Sequence, residues 1–236
     1  MINRGGVMEK QTLMIHAWHD QYLDIKLDDY ILSFDDGLYS QLNGIKKIIK
    51  KFPNIEIYYY CSTNIIESRR PKNPPKLVES DVAHDHYFRT GSKEYFINFY
   101  DLYVLSEYNQ VHIGLHGHNH LNLKKLRKEE SCGLHDQFKI FKEDTELMFD
   151  KYLDLVQYNI IDIKDKVHYC TPYNDGNSLF TLLIKQTFKK QLKRSHEDII
   201  IVGDGRLDIL DFEEAPTFFE RYNEERQYYN QKYLIE

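Results

Sequence analysis

Short apolar runs alternate with amphipathic stretches along most of this chain. An apolar run within 28–34 ends at Phe34 and meets Asp35-Asp36-Gly37, which predicts a buried strand closed by a tight turn. Leu42, Ile45, Ile48 and Ile49 then share one helical face, so 38–51 predicts a helix, ended by Phe52-Pro53-Asn54. Ile55 to Tyr60 is rich in β-formers and predicts a second strand. Between 64 and 92 the periodicity fades. Pro71, Pro74 and Pro75 with scattered charges predict a long excursion off the core, of a kind that often carries function. A helix over 93–108 precedes a third strand, Val111 to Leu115, which runs directly into His116-Gly117-His118-Asn119-His120. The pattern next predicts a long helix over 136–158 and a strand near 166–169 that leads into Thr171-Pro172-Tyr173. A helix over 177–193 follows, then a buried strand from Asp198 to Val202 closed by Gly203-Asp204-Gly205. The charged, tyrosine-rich tail, 212–233, predicts a last helix.

Strands alternating with helices at this spacing predict a parallel α/β fold, open or closed. Nothing marks a domain boundary, so one domain over 1–236 is expected. Hydrophobic residues at 42% and charged residues at 29% have the balance of a globular chain. A net charge of −6 argues against a nucleic-acid partner, whose binders carry a basic excess. The 19 tyrosines and 13 phenylalanines supply core volume and equally suit a sugar-lined cleft, so they decide nothing alone. Arg4, Glu9 and Lys10 interrupt the first residues, which lack the apolar run of a secretory leader. No stretch approaches the roughly 20 apolar residues of a membrane span. Cys61, Cys132 and Cys170 are scattered and odd in number, which fits a reducing compartment. A cytoplasmic protein is expected; its oligomeric state is not legible.

The unusual chemistry stands at strand ends, where parallel α/β proteins gather their functional groups. His116 and His120 are four apart, one helical turn if that segment is helical, and could share one cation. Zinc favours such nitrogen donors with one carboxylate, for which Asp36 is placed. The neighbouring Asp35 could stay unbound and act as a base. His118 reads as solvent-facing or supporting, His84 and His86 as part of the excursion, and His16, Trp18 and His19 as local structure.

These segments resemble the polysaccharide deacetylase (NodB-like) family. LSFDDG (32–37) is similar to its first motif and IGLHGHNHLNL (113–123) to its second; YCTPYN (169–174) is a reduced form of its third. IEIYYYCSTNII (55–66) is similar to the strand and turn between the first two. The resemblance covers roughly 28–208. It implies a distorted (β/α) barrel of about seven parallel strands. It also implies a metal-dependent hydrolase that removes an acetyl or other N-acyl group from an amino sugar or glycan precursor. Asp36, His116 and His120 would bind a divalent metal, zinc foremost, with cobalt, nickel or manganese as alternatives. Asp35 would be the general base, the Tyr173 N–H would hold the oxyanion, and Pro172 with Tyr173 would contact substrate.

Two family features are missing. An arginine that orients the catalytic aspartate is replaced by Cys170, and the late Leu-His-Asp motif that supplies a general acid has no clean match. His196 lies before the last strand, leaving His168, His118 and His84 as substitutes. Arg206 reads as structural or as binding substrate from the rim. Two rival readings stay open. One is a deacetylase-fold protein that only binds glycan or a partner. The other is a phosphatase, suggested by VGDGRLDI (202–209) but lacking a nucleophile where Phe34 stands.

Overall fold

Seven strands form one sheet in the computed structural model, which describes residues 10–66, 78–128, 133–174, 178–193, 195–203, 205–217 and 220–221. The chain runs β1 (Thr12–Ile15), β2 (Ile31–Phe34), α1 (Tyr39–Lys51), β3 (Glu56–Cys61), α2 (Ser80–Thr90), α3 (Phe99–Ser106) and β4 (Val111–Leu115). It continues through α4 (Leu123–Lys128), α5 (Leu134–Gln157), β5 (Val167–Cys170), α6 (Ser178–Leu192), β6 (Ile199–Val202) and β7 (Leu207–Asp208). The strand order is β6-β5-β4-β3-β2-β1-β7, and every pair is parallel.

That order dictates the shape. Laid flat, six spacings between the edge strands would separate β6 from β7 by about 29 Å. Yet Val202 and Leu207 are five Cα steps apart, a reach of about 19 Å at most. The sheet therefore curls until its edges approach, giving a half-barrel. The expected distorted α/β barrel of parallel strands is thus the fold.

Alternation along the strands gives the two faces different tasks. Leu13, Ile15, Leu32, Phe34, Ile57, Tyr59 and Cys61 are fully buried beneath the helices, packed with Leu42, Ile45 and Ile48 of α1. Phe141 and Phe149 of α5 meet Phe180 and Phe188 of α6 at 4.4 and 5.1 Å between ring centres, extending the same core. Inside the curl, Tyr58 stacks between Tyr60 and His112 and lies 4.7 Å from the His168 ring. Gly114 permits this: a Cβ there would sit 2.6 Å from the Tyr60 ring.

Several expectations need correction. β1 and β7 were not foreseen. The helix expected over 93–108 begins only at Phe99, where Asn98 and Asp101 form a reciprocal cap. The excursion between β3 and β4 is not loop throughout. It contains α2, stopped by Gly91 in the left-handed conformation and buried through Ala83 against Leu38, Tyr95 and Phe96. The expected tail helix, 212–233, falls mostly outside the described residues, as do Pro71, Pro74, Pro75 and Cys132. Among the described residues, no helix is long and apolar enough to cross a membrane.

Candidate functional site

The carboxyl ends of β1, β2, β4 and β5 converge on a cavity of about 740 Å³ lined by His16, Asp35, Asp36, His116, His120 and Tyr173, among others. Asp36 follows β2 in a left-handed turn with Gly37, both at positive φ. A Cβ at position 37 would already press on Cys61 at 3.3 Å, so this turn requires glycine. The turn aims Asp36 inward while Asp35 stays on the strand axis, and both are buried.

His116 and His120 do not sit on a helix. Gly117 at φ +78° and His120 at φ +52° fold 116–120 back on itself. Asp144 of α5 secures the turn by accepting from the backbone N–H of His118 and Asn119 at 2.9 and 2.8 Å. His118 turns away to Thr63, with Nδ1 2.9 Å from Oγ1. The two ligand candidates still converge, with Nε2 of His116 and of His120 lying 3.2 and 3.0 Å from Asp36 Oδ1. Donors around a tetrahedral ion with bonds near 2.1 Å would stand about 3.4 Å apart, so the spacing suits one small cation.

The donor atoms also fit a cation by their hydrogen bonding. His116 Nδ1 donates to the Cys170 carbonyl at 3.0 Å, which leaves Nε2 to face a carboxylate oxygen. Whatever joins Nε2 and Oδ1 must then be a proton or a cation. Asp36 Oδ1 and His120 Nε2 are buried without a hydrogen-bond partner. Burial pushes the Asp36 carboxyl up, but the imidazoles of His84, His120 and His116 outweigh it and hold the group well below the usual carboxylate range. Burial brings the His120 imidazole down to about 4, so it is neutral at pH 7 with a lone pair to give.

Asp35 is held by Arg206. The guanidinium lies 2.7 Å from Oδ2 and 2.8 Å from Oδ1 of Asp35, and also donates to Ser33 Oγ and to Asn174. Ser33 Oγ donates in turn to Asp35 at 2.8 Å. Burial raises the Asp35 carboxyl, yet Arg206 and His116 overcome it and keep the group below its ordinary range. Arg206, expected to be structural or on the rim, reaches inward from the β6–β7 connection with a side chain only 3% exposed. Cys170 sits beneath, its Sγ 3.5 Å from Asp35 Oδ2, and burial keeps it a thiol. The arginine absent from position 170 is therefore supplied from 36 residues further along the chain.

Tyr173 takes a left-handed conformation, φ +57°, at the mouth, with its ring 4.8 Å from His120 and Pro172 buried behind it. Phe34 is fully buried, so no nucleophile stands where a phosphatase of the rival type needs one.

Two solved structures are similar to this one. One is IcaB from Ammonifex degensii, with a TM-score of 0.48 and 14% identity over 76% of this chain and 67% of that one. The other is a de-N-acetylase from Aggregatibacter actinomycetemcomitans, also at TM-score 0.48 and 14% identity, over 89% of this chain and 82% of that one. By sequence, the chain matches no family model and no curated protein. The functional reading rests on the side chains.

Two further histidines line this cavity, neither expected as a metal ligand from the sequence. His16, at the end of the unforeseen β1, lines the wall beside Asp35. His84 of α2 is 4% exposed and stacks on His120 with ring centres 4.1 Å apart. In the sequence His84 stands out only as part of the excursion and as one substitute for the missing acid.

Proposed function

We propose that the protein is a metal-dependent N-deacylase acting on an amino sugar or short glycan. The observation that carries this is the pairing of two unlike aspartates on one cavity floor: Asp36 faces two imidazoles, while Asp35, one residue away, faces an arginine. Asp36, His116 and His120 would hold the cation. When bound, it supplies Lewis acidity, which polarises the acyl carbonyl and acidifies water toward pKa about 7.

Asp35 is the general base. It is ionised at neutral pH, and Arg206 fixes its carboxylate plane. It takes a proton from the attacking water as the water oxygen bonds to the acyl carbon. The backbone N–H of Tyr173 donates to the developing oxyanion, a contribution whose loss typically costs about 3–4 kcal/mol. The C–N bond then breaks, and the leaving nitrogen needs a proton. We assign that donor to His16, which lines the same cavity. Products are acetate and a free amine. The half-exposed ring of Tyr173 and the exposed Phe88 offer faces for a sugar ring at the mouth, with Pro172 behind. The cavity volume lies in the range of ligand sites, about 300–1,000 Å³. Arg206, whose two terminal nitrogens are engaged with Asp35, Ser33 and Asn174, would act on substrate through Asp35.

The test is acetate release from N-acetylated sugar oligomers. Wild type should turn over, a chelator should stop it, and Asp35→Asn should lower the rate by about 10²–10⁴-fold while metal uptake persists. Equal traces of acetate from wild type and Asp35→Asn would instead favour a protein that only binds glycan.

A further inference from the structure

His84 lies 32 residues before His116, on α2, the first of two helices in the long connection between β3 and β4. Yet α2 is docked so that this side chain enters the floor of the cavity. Ala83 beside it is fully buried against the small apolar cluster of Leu38, Val78, Tyr95 and Phe96, which fixes the rotation of the helix. The first residue of α2, Ser80, fixes its register: its hydroxyl hydrogen-bonds Asp36 Oδ2 and lies 3.2 Å from His84 Nδ1.

The hydrogen bonding of the ring defines its tautomer. Nδ1 lies 2.8 Å from the Ser80 carbonyl oxygen, which can only accept, so Nδ1 carries the hydrogen. Nε2 then bears a lone pair. It is buried and has no hydrogen-bond partner, and the His84 ring brings a nitrogen within 4.8 Å of ligand atoms of both Asp36 and His120. An orphaned buried polar atom of this kind carries an uncompensated desolvation penalty. Nε2 of His84, both ring nitrogens of His120 and Oδ1 of Asp36 are thus buried at the same cavity floor without a hydrogen-bond partner. A buried lone pair such as that of His84 Nε2, close to a carboxylate, calls for a positive charge to share. His116 shows the same arrangement, with Nδ1 donating to a backbone carbonyl and Nε2 turned to Asp36. A carbonyl behind a ring nitrogen is how proteins orient a metal-binding histidine.

We infer that His84 is a further ligand of the cation held by Asp36, His116 and His120, so that the site offers three imidazole nitrogens and one carboxylate oxygen. The inference rests on the metal reading above and extends it. Such a set suits zinc, copper(II) or nickel(II). It adds one donor to the three-ligand set above, so water or substrate would join as a fifth ligand. Because His84 comes from α2, metal retention becomes coupled to the docking of that helix.

The experiment is to load the full chain with one equivalent of Cu²⁺ and count coordinated nitrogens from the electron paramagnetic resonance hyperfine pattern. Affinity is measured in parallel by competition with a chelator. Wild type should show three imidazole nitrogens. His84→Gln, which keeps most of the side-chain volume, should show two and bind about 100-fold more weakly, at least the loss seen when mere supporting contacts to ligands are removed. Circular dichroism and the melting temperature in chelator should match wild type. Two nitrogens in wild type, both lost on replacing His116 and His120, would overturn the role of His84 and leave the three-residue site standing. No uptake by wild type, or uptake indifferent to His116→Ala, would remove the metal reading itself.

Discussion

Adjacent aspartates acquire opposite partners here because a strand residue and a turn residue point different ways. Asp35 continues β2 and meets Arg206; Asp36 enters the left-handed turn and meets imidazoles. At Asp35 two large effects oppose each other: burial raises the carboxyl and Arg206 lowers it, with the charge winning. Replacing Arg206 by Met should let burial win. The Asp35 carboxyl then rises, the base is protonated at higher pH, and the acidic limb of the pH–rate profile moves to higher pH. Removing one partner of a buried pair also costs about 3–5 kcal/mol, readable in urea denaturation. An unmoved acidic limb would mean that Arg206 does not govern the base. At this scale the sequence was partly legible. Asp35, Asp36, His116 and His120 stand beside apolar runs, so a strand end could be inferred for each. Arg206 and His84 could not be paired with them, because their partners lie 171 and 32 or more positions away and are chosen by the curl of the sheet and the docking of α2.

Elements with strong periodicity were predicted within a few residues, and α1 illustrates why: four apolar positions on one face leave little choice. The same helix holds Gly44, where Ala would normally stabilise by about 1 kcal/mol. Here a new Cβ would collide with the Trp18 ring, which packs directly over the helix backbone. Overpacking costs about 1–3 kcal/mol and wins, so Gly44→Ala should lower the urea midpoint. β1 and β7 escaped notice for a different reason. β1 has four residues and β7 two, and β7 is a strand only because Leu207 and Asp208 pair with Leu13 and Met14. Such elements are made by closure, not by local pattern. β5 carries a pH effect of its own. Burial and the neighbouring His112 bring His168 down to about 4, from 6.5 when free. As pH falls from about 6.5 to about 4, the unfolded chain takes a proton at this position and the folded one does not. Stability from this group is therefore full above pH 6.5 and lost as pH falls through that window. His168→Phe, which keeps a ring against Tyr58, should flatten the decline of denaturation free energy between those pH values; an unchanged slope would place the titration elsewhere.

The whole molecule is an incompletely closed barrel whose open side is bridged by polar contacts, Arg206 from the β6–β7 connection reaching Asp35 after β2 and Asn174 after β5. The proposed ligands span the same architecture. Asp36 follows β2, His84 stands on α2, and His116 with His120 follows β4, so residues 36 to 120 must be folded before the donors meet. A cation that binds only this arrangement stabilises it by mass action, about 2.7 kcal/mol at a free concentration 100 times Kd. For a chain of this size that corresponds to a rise in Tm of roughly 5–10 °C. Thermal melts with added Zn²⁺ should show the rise, excess chelator should reverse it, and Asp36→Asn should abolish it, since the one carboxylate in the set is gone. The shift should shrink in His84→Gln without vanishing if α2 only adds to a site built on the barrel. A wild-type Tm indifferent to every divalent transition metal would mean that the converging lone pairs at the cavity floor are shared by protons alone, and the deacylase reading would lose its Lewis acid.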